Sequence, residues 1–325
     1  MSSPAHILQA CHITGEGGSM PLSGAALSQG LKSDDLAWVH LDANHEDTKP
    51  WLEAELSYLD PFIVHALMED ETRPRVTEIG DGAIVILRGV NFNDGQDEED
   101  MVSIRMFIDA GRIISLQKRS VRAVNTVCEN FSMGKGPKNS GEFLTQILLN
   151  LTNGVNAILA RLDDQTDAIE EDILTTADIN LRQSIINIRK KSIVFRRHLS
   201  PQRDAISQLR LSGLPWLSDM DRRSLLERYN LTLRYVEDLD AIRERAQIVK
   251  DELANIISDR LNKNTYVLSV IAAIFLPLGF LTGLLGINIG GIPGSENGSA
   301  FFIFCAILAV LVACQIVIFK KLKWF

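Results

Sequence analysis

The sequence predicts an α+β membrane protein: an N-terminal α/β domain, a long helical stalk and two membrane-crossing helices near the C-terminus. Three observations predict it. Tyr266–Ile287 and Ala300–Phe319 are uncharged stretches of 22 and 20 residues, and about 20 apolar residues span a bilayer core as a helix. From Asp219 onward a helical pattern meets no Gly or Pro until Pro277. Apolar, β-branched runs separated by Gly- and Asp-rich turns are confined to the first 135 residues, where they read as strands.

In the α/β domain (1–135), Ala37–Leu41, Ala83–Asn91, Met101–Ile108 and Arg112–Lys118 read as strands. Gly80-Asp81-Gly82 and Asp109-Ala110-Gly111 read as hairpin turns. Asp47–Tyr58 and Pro61–Glu71 carry helical spacing, and Gly134-Lys135-Gly136-Pro137 marks a break.

A helical region and stalk (141–265) follow. Phe143 to about Leu174 and Asp178–Leu211 read as two helices, and Ser212-Gly213-Leu214-Pro215 as a turn. In the stalk, Leu226, Tyr229, Leu233, Val236, Leu239, Ile242, Ala246, Val249, Leu253 and Ile256 recur every three or four residues. A helix from Asp219 to Gly286 is on the order of 100 Å long. One chain is not expected to cover so long a stripe, so the stripe predicts subunits bundled about an axis.

The first span (266–287), a loop (288–299), the second span (300–319) and a tail (320–325) complete the chain. Arg260 and Lys263 precede the first span and Lys320, Lys321 and Lys323 follow the second, whereas the loop has no Lys or Arg. The positive-inside rule then puts both termini in the cytoplasm and the loop outside. The N-terminus has no secretory pattern. A formal net charge of -8 and no long basic block argue against nucleic acid as a partner. Cys11, Cys128, Cys305 and Cys314 have no paired spacing, which argues against a disulfide framework or a zinc finger. No nucleophile–base motif or phosphate-binding loop is present, so an enzyme is not expected, nor any cofactor.

Chemistry concentrates in the first span. Pro277 removes a helix hydrogen bond, and Gly279-x-x-x-Gly283 lets helices approach closely. Gly286 and Asn288 close the span either as a cap or, in a ring of helices, as a circle of amide oxygens able to hold a cation loosely. Phe275-Leu-Pro-Leu-Gly-Phe-Leu-Thr-Gly-Leu-Leu-Gly-Ile-Asn288 resembles the end of the first span in the CorA metal-ion transporter superfamily. That superfamily has Gly-Met-Asn where this chain has Gly286-Ile287-Asn288. The following Ile289-Gly-Gly-Ile-Pro293-Gly is similar to the zinc-transporting ZntB branch, as are Thr72-Arg-Pro-Arg-Val76, Pro201-Gln-Arg-Asp204 and Leu214-Pro-Trp216.

The resemblance implies a homopentameric funnel around a central pore in the inner membrane, lined by the first span. Carried onto this chain, the axis side comprises Asn262, Thr265, Leu268, Ala272, Leu276, Gly279, Gly283 and Gly286, leading to Asn288. Asn288 and Glu296 would meet the metal at the outer mouth. Zinc as the transported ion, and protons as the coupling ion, follow from the resemblance alone. The lining offers oxygen donors, whereas zinc prefers nitrogen and sulfur, and neither span holds an ionisable residue to relay protons. A magnesium or broad divalent-cation channel is one alternative. A membrane-anchored sensor or scaffold is another.

Weaker candidates complete the reading. Asp163, Asp164, Asp167, Glu170, Glu171 and Asp172 form an acidic helix face, which the resemblance would make a metal sensor and simple solvation explains as well. Asp94–Asp100 reads as a loop. Cys11-His12 and His40 with His45 are possible zinc contacts without a motif's spacing.

Overall fold

The computed structural model describes residues 4–70, 73–175, 180–286, 294 and 297–321. They fall into two units, Met1–Lys250 and Asp251–Phe325.

The first unit is organised by a seven-stranded sheet. Its strands are β1 (Ile7–Ile13), β2 (Ser19–Pro21), β3 (Ala37–Asp42), β4 (Arg75–Ile79), β5 (Gly82–Gly89), β6 (Val102–Ile108) and β7 (Arg112–Gln117), in the order β2-β1-β3-β7-β6-β5-β4. β3 and β7 run parallel and the other neighbours antiparallel. Both expected hairpins form. Ile79 pairs with Gly82, with Gly80 at φ 56°, a conformation that favours glycine. Ile108 pairs with Ile113, and the Asp109 carboxylate accepts from the backbone N–H groups of Gly111 and Arg112.

Residues alternate between two buried faces, as the period of a strand requires. Val85 and Leu87 of β5 and Ile104 and Met106 of β6 point to one core. There they meet Val124 and Val127 of α4 (Arg122–Ser132) and Phe143, Ile147 and Leu148 of α5 (Ser140–Thr175). Ile84, Ile86, Phe107 and Leu116 face the opposite core. It is closed by α1 (Ala25–Gly30), α2 (Thr48–Glu55) and α3 (Pro61–Met68). Buried Arg105 donates to the carbonyls of Leu67 and Asp70, satisfying acceptors at the end of α3. The Gly134–Pro137 break lies inside this unit, where the Gly136 N–H donates to Gly17 O at 2.8 Å.

The remaining helices are α6 (Asn180–Leu211), α7 (Asp219–Gly286) and α8 (Ala300–Lys321). A reciprocal cap starts α7: the Asp221 carboxylate accepts from the N–H and hydroxyl of Ser218, and the Asp221 N–H donates back to Ser218 Oγ.

One expectation fails here. Val236, Leu239, Ile242, Ala246 and Val249 are already buried within the single chain, and Leu226 lies off the buried stripe while Leu225 is on it. α7 is tied to α5 through Arg245 and to α6 through Arg196–Asp240. The stalk stripe is therefore no argument for an oligomer up to Val249, because the neighbouring helices of the same chain use it.

Candidate ion pathway

Among the described residues three helices, α5, α7 and α8, hold stretches long and apolar enough to cross a membrane. That of α5 is half buried in the first unit. Those of α7 and α8 lie almost wholly exposed, as spans facing lipid or other copies of a chain would be.

Within the second unit, α7 continues through Pro277 to Gly286. Proline lacks the N–H that would bind the carbonyl four residues earlier, so Ala273 O loses its helical donor. Gln315 of α8 supplies a replacement, its Nε2 donating to Ala273 O at 3.3 Å. A polar side chain inside an apolar span thus satisfies a backbone group that lipid cannot. The sequence reading passed over Gln315. The signal was there, since it is the one amide in the second span and Pro277 announces a free carbonyl.

Around this contact each helix has one sheltered face. On α7 it comprises Val270, Ala273, Ile274, Pro277, Leu278 and Leu281, and on α8 Phe304, Leu308, Leu311, Val312, Gln315 and Phe319. Cys305 and Cys314 are exposed.

The residues expected to line a pore fall elsewhere. Asn262, Thr265, Leu268, Ala272, Leu276, Gly279, Gly283 and Gly286 are all exposed. At 100° per residue, those from Leu268 on point about 180° away from the Val270–Leu281 face. A Cβ added at Gly279, Gly283 or Gly286 would meet nothing within 4 Å. Within one chain, then, these glycines admit no close neighbour and leave an open, low-relief face. Thr282 and Ser269 turn their hydroxyls back onto the helix, at 2.9 Å from Leu278 O and 2.8 Å from Thr265 O. Ile287, Asn288 and Glu296 lie outside the described residues.

The weaker candidates resolve differently. Arg245 donates to Asp163 at 2.8 Å and to Glu170 at 2.9 Å and also bonds Asp167, so an internal cation occupies that acidic face. Glu170 first and Asp167 next raise the pKa of Arg245. In the Asp94–Asp100 loop, Glu98 pairs with Arg161, Glu99 with Lys191 and Asp100 with Arg119. Cys11 is buried, which pushes its thiol up to about 11 and away from a metal-binding thiolate. His40 is buried with Nδ1 2.8 Å from Ser115 Oγ, and His45 groups with His6 and Asp47 rather than with His40.

A long N-terminal α/β unit, a 68-residue helix ending in an exposed apolar segment, and a second apolar helix agree with what the comparisons find. The profile of the family described as CorA-like Mg2+ transporter protein matches residues 33–321. This chain belongs to the CorA-like transporter family. It is 36% identical to the zinc transport protein ZntB of Yersinia enterocolitica, over 96% of this chain and 94% of that protein. It is 37% identical to the divalent cation transporter CmaX of Pseudomonas aeruginosa, over 90% of this chain and 89% of that one. The structure of the full-length CmaX protein superimposes with a TM-score of 0.86 at 34% identity, covering 99% of both chains. As a CorA-like chain with two exposed apolar helices, this is a membrane protein.

Proposed function

We propose that this chain is one subunit of a homopentamer that carries divalent cations, zinc foremost, into the cytoplasm through a pore lined by α7. The observation that carries the reading is the uncovered face of α7, from Leu268 to Gly286, opposite the face sheltered beside α8. Five such faces set around an axis would enclose a path, with the α8 helices outside. Asn288, two residues after Gly286 in the sequence, would then meet the ion at the outer mouth, where Glu296 would concentrate cations. Both termini face the cytoplasm of a cell bounded by an inner membrane, by the basic flanks of the two spans.

Zinc is favoured by the ZntB relatives, which align with nearly the whole chain. The α7 face itself presents oxygen and hydrocarbon, so the ion crosses with water retained. A negative interior favours uptake of a divalent ion by about 4.6 kcal/mol per 100 mV. Proton coupling is carried over with the zinc reading and needs groups outside the two spans. The CmaX relative, named for divalent cations, favours a second reading as a channel of broader divalent selectivity.

Flux into liposomes carrying the purified protein tests both. Zinc and magnesium are each supplied with and without an inward proton gradient. Zinc uptake enhanced by the gradient supports the first reading. Magnesium uptake that follows voltage alone supports the second, and no flux of either ion overturns transport. Asn288→Ala is expected to abolish flux and leave the oligomer intact, and normal flux in that variant removes Asn288 from the pathway.

A further inference from the structure

His6, His45 and Asp47 meet in the first unit although 39 positions separate the first two in the sequence. The sheet brings them together. β1 and β3 are antiparallel, and the Asp42 N–H donates to His6 O at 3.0 Å, which sets the start of β1 beside the end of β3. The chain then turns sharply. Asn44 N–H binds the Asp42 carboxylate at 2.9 Å, and Asn44 Nδ2 donates to Lys118 O at 2.6 Å. Thr48 Oγ1 donates to Asp42 O at 2.5 Å, anchoring the start of α2. His45 and Asp47 hang from this fixed turn and face His6.

One ring nitrogen of each histidine and one carboxylate oxygen of Asp47 lie within 4.8 Å of one another. His45 Nδ1 is 3.6 Å from Asp47 Oδ2 and accepts the Asp47 N–H at 3.3 Å. The His6 ring packs against those of His45 and Trp51, at 5.7 and 5.8 Å between centroids. His6 is only 4% exposed, and neither of its ring nitrogens has a hydrogen-bond partner. An unsatisfied buried polar group costs about 1–3 kcal/mol, so native structures seldom keep one without a reason. Burial first, and His45 next, hold the His6 pKa below its usual value.

We propose that His6, His45 and Asp47 form a binding site for a divalent transition-metal ion in the first unit. Two imidazole nitrogens and a carboxylate suit zinc and its neighbours, whereas magnesium takes oxygen ligands. Water fills the remaining position. Ligand atoms around tetrahedral zinc stand about 3.3 Å apart, given bonds of about 2.0–2.1 Å, so the cluster must tighten. The His45 and Asp47 side chains are 30% and 67% exposed and free to make that move toward the buried His6. The inference rests on the donor set and not on the transport reading.

Histidine modification of the full-length protein in detergent, with diethyl pyrocarbonate and peptide mass spectrometry, tests it. With zinc at ten times its Kd, modification of His45 is expected to fall about ten-fold by mass action. Magnesium is expected to leave it unchanged. His65, exposed on α3 and outside the cluster, is the internal control. Asp47→Ala removes a ligand without removing a helix cap, since the Asp47 side chain makes no cap bond to α2, and is expected to weaken the zinc protection of His45. Four results would each overturn the site: His45 unprotected by zinc, His65 protected equally, magnesium matching zinc, or full protection in Asp47→Ala.

Discussion

α5 and the last part of α7 both qualify as spans on hydropathy, α7 by much the wider margin, and the structure treats them oppositely. Both hold a stretch long and apolar enough to cross a membrane. α5 spends its apolar side on the sheet, where Phe143, Leu144, Ile147 and Leu148 are fully buried. α7 beyond Tyr266 leaves Leu268, Phe275, Leu276 and Phe280 exposed. The outer face separates them. The apolar stretch of α5 carries the amides Gln146, Asn150, Asn153 and Asn156 on its less buried side, as an amphipathic core helix does, while Tyr266–Gly286 carries no charge and no amide on any face. Mean hydropathy finds both, and the amides along one side of the α5 stretch tell them apart.

The largest expected effect sharpens this contrast with one truncation on each helix. Leu148→Ala opens a cavity in a filled core and should cost about 2–5 kcal/mol. Leu276, 75% exposed, should cost under about 0.5 kcal/mol as a surface change. Thermal unfolding of the full chain in detergent reads both. An equal loss at Leu276 would break the comparison and mean that another copy covers that face.

Why some of this was legible in sequence and some was not follows from where each element finds its partners. β3, β5, β6 and β7 are buried on both faces, so their apolar runs declare them. β1, β2 and β4 lie toward the sheet edges, and β4 buries only Val76 of Arg75–Ile79. α4 was missed too, its Arg122–Ser132 run being short, polar and β-branched. Missing β1 had a consequence: without the β1–β3 pairing, His6 and His45 are unrelated in the sequence. The start of α7 was legible because the Ser212–Pro215 turn precedes it, Ser218 and Asp221 cap it, and no Gly or Pro follows until Pro277. The stalk stripe was misread as an oligomer contact because a stripe records burial and not the identity of what covers it. The Gly286–Asn288 motif rests on resemblance alone, and Ile287 and Asn288 lie outside the described residues.

A pH effect of intermediate size belongs to the first unit alone. Burial lowers the pKa of His40 from the usual 6.5 to about 4, and that of His198, beside Arg88 and Arg197, likewise to about 4. The unfolded chain takes up these protons near pH 6.5 and the folded chain resists until about pH 4. The stability their neutral forms contribute is thus complete above pH 6.5 and is lost as pH falls toward 4. For fully buried His40 the loss is on the order of 3 kcal/mol. Melting temperature should fall between pH 6.5 and 4, and His40→Gln should flatten that slope. A slope unchanged in the variant would assign the acid sensitivity elsewhere.

The smallest effects compare how each unit ties its helices together. In the first, Arg245 of α7 bridges Asp163, Asp167 and Glu170 of α5, a network whose side chains are 32–61% exposed. In the second, Gln315 donates to the Ala273 carbonyl that Pro277 leaves free. Exposed ion pairs are worth about 1 kcal/mol and weaken as salt screens them. A hydrogen bond between membrane helices averages about 0.6 kcal/mol, and salt has no access to it. Arg245→Ala should therefore destabilise the chain in low salt and progressively less as sodium chloride rises. Gln315→Leu should cost slightly less, by the same amount at every salt concentration. Thermal unfolding of both variants across a salt series reads the difference. Salt dependence at Gln315, or none at Arg245, would mean that water reaches the α7–α8 contact or that the acidic face of α5 is held by something other than charge.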